Sequence, residues 1–402
     1  MTDPSTNAPG SGTPPGPVSS ADLLDLDGQL RQAAWANDVP TAAALIAQGA
    51  DVNAKDSTIQ SAYLIATSEG YADLLDLMLA NGAEVNDKDS WNGTGLIRAA
   101  ERGHWLVVGM LLRAGIERDH VNRIGYQAIH EAVWFGRDDD AYATTIRVLA
   151  AGGVSLATPS DVERLTPLEM ARQRGHSRLE QILLRVADEG SVLNVDDALL
   201  RAAAAGDADL VAHALRAGAD LGARDGDGRT ALLLAATGDH LDVARVLVAL
   251  GADPDALDGR HDTPWLVTGV TGSVPMLETV LLAKPDLTIR NRFGGVSVIP
   301  AAERGHVEYV RRVVTTGIDV NHVNDLGWTA LLEAVILGGG GPAHQEIVRI
   351  LLAAGADPAI ADRDGQTALD HARARAQSEI VAILEGESGA RPARAVVINA
   401  ST

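Results

Sequence analysis

The sequence has no cysteine. Disulfides, thiolate zinc sites, iron–sulfur clusters and thiol nucleophiles are all excluded at once, and the usage fits a reducing compartment. Aromatic residues are scarce, with six Trp, five Tyr and two Phe in 402 residues, so Ala, Leu and Val must carry the packing. Lysine occurs only at Lys55, Lys88 and Lys284. Positive charge of any kind is short: 33 Lys and Arg face 54 Asp and Glu, a net charge of −21. Such a chain repels phosphate, so no nucleic acid and no anionic membrane surface is expected as partner, while a basic protein surface is favoured. No run of 18 apolar residues exists, so no membrane span is expected. The first twenty residues lack the basic and apolar regions of a secretory signal, and the expected location is cytoplasmic.

What is present is a globular share of hydrophobic residues, 46%, which rules out wholesale disorder. The length exceeds one ordinary core, leaving two or three domains or one repeat array. Residues 1–27 read as a disordered Pro- and Gly-rich tail with a lead-in, and 388–402 as a shorter tail. Between them the chain repeats itself. Gly-Ala-acidic recurs at Gly49-Ala50-Asp51, Gly82-Ala83-Glu84, Gly218-Ala219-Asp220, Gly251-Ala252-Asp253 and Gly355-Ala356-Asp357. The first two lie 33 residues apart, as do the third and fourth. Each unit opens on a Thr or Ser suited to cap a helix, as at Thr230, and that helix ends at a Gly-His pair such as Gly103-His104 or Gly305-His306. A second helix follows with apolar residues at helical spacing, as in Val243, Val246, Leu247 and Leu250. An extended segment with Asp or Asn then forms a hairpin-like finger. No unit can bury its own apolar face, so the units must stack into an elongated array without a central core.

These residues resemble the ankyrin repeat family, best in Asp225 to Asp253, Asp258 to Asp286, Asp325 to Asp357 and Asp362 to Ile383. The resemblance spans about residues 28–387 and implies an all-α repeat solenoid of stacked helix-turn-helix units with hairpin fingers. Eleven units start near Gly28, Asp56, Asp89, Asn122, Asp161, Asp197, Asp225, Asp258, Asn291, Asn324 and Asp362. They divide into a first array of about five units over 28–190 and a second of about six over 191–387. The family's Pro after the Thr is kept only at Pro167 and Pro264. Its structural His is kept only at His130, which implies rungs less tightly cross-linked than usual.

The two halves align at a nearly constant offset of 202. Ala99-Ala100-Glu101-Arg102-Gly103-His104 matches Ala301-Ala302-Glu303-Arg304-Gly305-His306, His120-Val121-Asn122 matches His322-Val323-Asn324, and Glu131 matches Glu333. Trp91 matches Phe293, and Tyr63 matches Trp265. Both halves carry a lengthened turn, Arg137 to Thr145 and Gly338 to Gln345, read as loops. Copying of a block of about five units accounts for all of this.

Catalytic motifs are missing: no phosphate loop, no G-x-S-x-G elbow and no H-E-x-x-H. The nearest approach, His130-Glu131, has Trp134 where a second ligand would stand. The eleven histidines fall about one per unit, as a repeat demands. No cofactor, no metal and no enzyme activity is expected. In ankyrin-type units the finger tips and the end of the first helix line a concave face. That phasing nominates Trp91, Glu101, Arg102, Tyr126 and Trp134 in the first half, and Phe293, Glu303, Arg304, Trp328 and Glu333 in the second, as partner-binding residues. Exposed aromatics beside Arg have the composition of interface hot spots. Phe135 is expected to pack, and Tyr63 and Trp265 belong to the core. Arg98 and Glu131 hold equivalent positions on neighbouring first helices and should pair. Pro300 replaces Arg98 in the second copy, so Glu333 should face the groove. The expected function is a monomeric, non-enzymatic scaffold that binds a protein partner through its concave groove. A ligand- or peptide-sensing regulatory subunit and a cryptic metal-dependent enzyme are the alternatives.

Overall fold

The computed structural model describes residues 25–187 and 194–388. Most of both tails, and the junction at 188–193, lie outside the described residues. Residues 26 and 27 already belong to the first helix. Among the described residues there are eleven helix pairs and no strand longer than an isolated bridge. In the N-terminal half these are α1 (Leu26–Trp35) and α2 (Val39–Ala47), α3 (Ala62–Glu69) and α4 (Ala72–Ala80), α5 (Gly95–Glu101) and α6 (Trp105–Arg113), α7 (Ala128–Trp134) and α8 (Asp140–Ala151), and α9 (Pro167–Arg174) and α10 (Ser177–Val186). The C-terminal half continues with α11 (Val195–Ala205) and α12 (Ala208–Arg216), α13 (Ala231–Thr237) and α14 (Leu241–Ala249), and α15 (Pro264–Thr271) and α16 (Val274–Leu281). It ends with α17 (Val298–Arg304) and α18 (Val307–Val313), α19 (Ala330–Ile336) and α20 (Pro342–Ala353), and α21 (Ala368–Ala374) and α22 (Ser378–Ser388).

The local chemistry is that of the repeat. Ser61, Thr230, Thr263 and Thr329 cap their first helices by accepting from the backbone N–H three residues on, at 3.2, 3.3, 3.0 and 3.2 Å, which satisfies a donor the helix leaves open. Gly305 closes α17 at φ +77°, a left-handed turn that glycine makes without strain. First helices pack on first helices and second helices on second helices along each half. Tyr63 and Trp265 sit fully buried between these rows.

Two features differ from the sequence expectation. First, the array is not simply elongated. The chain doubles back, so that α12 packs on α8 and α10, and α14 packs on α6 and α8. The second helices of the two halves therefore form a shared central seam, and the first helices with their fingers lie on the two outer sides. The seam is tight. A Cβ on Gly109 would come within 2.2 Å of the Ala249 carbonyl oxygen. Arg147, almost fully buried, donates to Asp209 at 2.7 Å and lies 3.4 Å from Asp242. Arg216 donates to the Ala150 and Val154 carbonyls at 3.1 and 2.8 Å, and Lys284 reaches across to Asp73 and Asp76. In α8 nine consecutive residues, Tyr142 to Ala150, are buried. A helix buried all round belongs inside a body rather than on the back of a single-layer solenoid.

Second, the lengthened turns are mostly helix. α8 and α20 begin at Asp140 and Pro342 and each run 12 residues. Their first turns reach back over the preceding unit. The Tyr142 hydroxyl donates to the Glu101 carbonyl at 2.9 Å, and His344, at the matching position, bonds the Glu303 carbonyl at 3.0 Å.

Candidate functional site

The fingers are organised by the residue that opens each unit. Its side-chain oxygen accepts the backbone N–H groups two and four residues on: Asp89 holds Trp91 and Gly93 at 2.8 Å each, Asn122 holds Ile124 and Tyr126, and Asn324 holds Leu326 and Trp328, at 3.0 Å in all four cases. In four units the remaining atom of that side chain meets the residue nine positions later, on the first helix. Asp89 accepts from Arg98 at 2.5 Å, and Asp362 accepts from His371 at 2.7 Å. Asn122 donates to Glu131 at 2.5 Å and Asn324 donates to Glu333 at 2.7 Å. A carboxylate at the start of the unit thus takes a cation, and an amide takes a carboxylate.

This arrangement overturns the expected Arg98–Glu131 pair. Each group is satisfied within its own unit, and Arg98 also holds Glu101 at 2.8 Å. Glu131 is 2% exposed and Glu333 6%. Glu333, expected to face the groove, is nearly buried but lines it. Burial first, then the neighbouring Glu101, pushes Glu131 up to about 7, against the Asn122 hydrogen bond and Arg98. Burial and Glu303 push Glu333 to about 7 likewise, against Asn324 and Arg304. Both carboxyls are poorly solvated, so their charged forms are disfavoured.

Along the outer side of the C-terminal half, fingers and first helices enclose a groove of about 530 Å³. Phe293, 51% exposed, stands in it with Leu326 and Leu337, and the Arg292 guanidinium lies over the Phe293 ring at 4.6 Å. Glu303 and Arg304 line the same groove and pair at 3.0 Å. In the N-terminal half Trp91, 56% exposed, occupies the finger tip. Arg102 turns instead to Glu69 and to the Ser68 carbonyl, 2.9 Å away. The second copy has Thr271 and Val270 in those places, which frees Arg304 for Glu303.

The other nominated aromatics are not a uniform surface. Tyr126 is 2% exposed, its hydroxyl donating to Glu163 at 2.6 Å. It is an inter-unit packing group and not an anchor, because a neighbouring finger supplies a partner for its polar tip. Trp134 and Trp328 are half-buried. The Arg174 guanidinium covers Trp134 at 5.3 Å. Phe135, expected to pack, is half exposed, with one edge toward Tyr126 at 6.2 Å. The rungs are also better cross-linked than the loss of the family's His implied. His130 is buried, taking the Gln127 N–H at 3.1 Å and reaching the Thr158 carbonyl at 3.0 Å. The finger-base His120 and His322 bond the carbonyls of Asn92 and Gly294, at 2.8 and 2.6 Å, and the turn His240 and His306 bond those of Ala204 and Val270, both at 3.1 Å.

The model of ankyrin repeats (3 copies) matches residues 30–122, 168–258, 199–291, 271–362 and 298–394. The chain belongs to the ankyrin repeat family. The ankyrin repeat protein YahD of Escherichia coli (strain K12) is 39% identical over 195 residues, covering 48% of this chain and 97% of YahD. Human ankyrin repeat and SOCS box protein 16 is 34% identical over 178 residues, 42% of this chain but only 38% of that protein. A crystal structure of an ankyrin repeat domain from Acinetobacter baumannii AYE is 47% identical, covers 47% of this chain and 97% of that one, and superposes with a TM-score of 0.46. Ankyrin repeats mediate protein–protein contacts. No described helix of this ankyrin repeat protein is long and apolar enough to cross a membrane.

Proposed function

We propose that this ankyrin repeat protein is a non-enzymatic scaffold that binds a protein partner through its concave grooves. The observation that carries the reading is the C-terminal groove, where Phe293, Leu326 and Leu337 are each about half exposed among paired charges. An apolar strip of this kind rimmed by Arg and carboxylates has the anatomy of a docking surface. The acidic chain steers basic surfaces toward it. Because the two halves stand back to back, their fingers and first helices face opposite sides, and one short partner segment cannot reach both. The 202-residue offset and the full-length match to YahD, a protein of about half this size, support a two-array division at about residue 190.

The test is crosslinking affinity purification from the native organism with the whole chain, repeated with Phe293→Ala plus Leu337→Ala. Loss of a reproducible partner is expected. Recovery at the wild-type level with the groove altered would remove the groove from the mechanism. Trp134→Ala plus Trp328→Ala is the companion variant, and it is expected to weaken recovery less because both rings are half-buried.

A further inference from the structure

The duplication supplies an internal control for the C-terminal groove. In the N-terminal copy, position 98 is an arginine whose guanidinium is held by Asp89 at 2.5 Å and Glu101 at 2.8 Å, close enough to Glu131 to act on its ionisation. In the C-terminal copy the same position is Pro300, which has no charge and no donor. Of the two carboxylates that hold Arg98, Asp89 is replaced by Asn291 and Glu101 is kept as Glu303. Glu303 stands for Glu101 and Glu333 for Glu131, and Pro300, Glu303 and Glu333 all line the groove. Glu333 is 6% exposed, Asn324 occupies its Oε1, and no described residue bonds its Oε2. With Asn291 in place of Asp89, the carboxylates left for a cation are Glu303 and Glu333, and the open oxygen of Glu333 is matched by that of Glu131 in the other copy.

The groove's own arginines do not fill the gap. Arg292 is drawn to Asp262 at 3.3 Å and lies over the Phe293 ring. Arg229 pairs with Asp225 at 2.8 Å. Arg304 holds Glu303 at 3.0 Å through an exposed pair that exchanges readily, and the Pro300 carbonyl at 3.4 Å. An anionic occupant would have to displace these matches and would meet a cation outside them only at the exposed Arg260, whereas a cation meets a buried carboxylate with an oxygen to spare. A planar guanidinium also suits the Phe293 face and can bridge two carboxylates as a fork.

We propose that the C-terminal groove takes an arginine side chain from an extended partner segment, its guanidinium seated where Arg98 sits in the N-terminal copy, against Glu303 and Glu333 and beside Phe293. The N-terminal copy fills this place with its own Arg98 and is closed to such a residue. This deepens the scaffold reading and rests on it. The apolar neighbours Leu326 and Leu337 call for apolar residues flanking the arginine.

The test uses the purified full chain and a fluorescently labelled acetyl-Leu-Arg-Leu-amide, followed by polarisation, with the citrulline peptide as a neutral isostere. The arginine peptide is expected to bind at one equivalent and at least about tenfold more tightly than its citrulline counterpart, the order expected for one charge-assisted contact. Pro300→Arg, which rebuilds the N-terminal arrangement, and Glu333→Gln should each abolish that preference, and Arg98→Ala should raise the stoichiometry toward two. Equal binding of the two peptides, no binding of either, or a preference that survives both Pro300→Arg and Glu333→Gln overturns the proposal. If that happens while Phe293→Ala plus Leu337→Ala still abolishes partner capture, the cation seat falls and the groove reading stands. If partner capture also survives the groove variants, both fall.

Discussion

The two copies of the duplicated block share a backbone plan and differ in how they satisfy one buried spot. In the N-terminal copy Asp89, Arg98 and Glu101 close a charge network inside the unit. In the C-terminal copy Asn291, Pro300 and Glu303 leave the same spot open to the groove. Buried charge must be matched wherever it sits. Each copy leaves one buried carboxylate, Glu131 or Glu333, with a single Asn amide, but only the N-terminal copy keeps a guanidinium beside it. The lesson is that within a repeat array a paired change, a carboxylate to an amide and an arginine to a proline, removes an internal ion pair without altering the fold.

The largest expected effect comes from breaking the seam that sets the two copies back to back. Arg147→Ala leaves Asp209 buried with only Arg185 as cation, 3.1 Å away, and should cost about 3–5 kcal/mol. Denaturant unfolding measures the loss, and small-angle scattering should show an expanded particle. An unchanged midpoint and radius would mean that the halves do not depend on one another.

Next in size is the ionisation of Glu131 and Glu333. Both carboxyls sit at about 7 in the folded chain, above the 4.5 of an unhindered Glu. The folded state therefore holds these protons more tightly than the unfolded one. The stabilisation is full below about pH 4.5 and is lost as pH rises through 7. Glu131→Gln and Glu333→Gln should each raise stability at pH 8, by at most ~3 kcal/mol, and the gain should vanish near pH 4. Melting temperatures across that range check it. A gain of equal size at both pH values would show that packing and not charge is responsible.

Smaller again is the amide that matches each of these carboxylates. Asn324→Asp sets a carboxylate against Glu333 and should destabilise by about 1–3 kcal/mol at pH 8 and less at pH 5. The reciprocal Asn291→Asp lies against no such partner and should be near neutral. Smallest is Tyr126→Phe. It removes one hydrogen bond to Glu163 and should cost about 0.5–1.5 kcal/mol, while Trp328→Phe at the matching position has no such bond to lose. Urea titration distinguishes the two.

Much of this was legible in the residues. Thr and Ser caps, Gly-His turns and the Gly-Ala-Asp recurrence predicted the helix pairs, because each is a local solution to a local demand of the backbone. The core positions of Tyr63 and Trp265 followed from phase alone. The site was less legible. Tyr126 shares the phase of an exposed finger residue, but Glu163 on the next finger draws its hydroxyl inward. Arg98 and Glu131 are neighbours on stacked helices, yet each answers to the residue nine positions before it. That i to i+9 match of Asp with cation and Asn with carboxylate was present in the sequence and would have predicted both pairs.

By itself, then, the sequence determined the repeat, its period, the helices and the duplication, since these depend on contacts within a unit or between adjacent ones. The doubling back, and with it the placement of the two sets of fingers on opposite sides, was decided only in three dimensions. The apolar runs of α8 and α14 carried its trace, but a helix rich in Ala and Val looks the same whether it is half-buried or buried all round. What distinguishes the cases is a match between surfaces far apart in the chain: Gly109 against Ala249 and Arg147 against Asp242. No local pattern encodes such a match, because its energy exists only once both surfaces have formed.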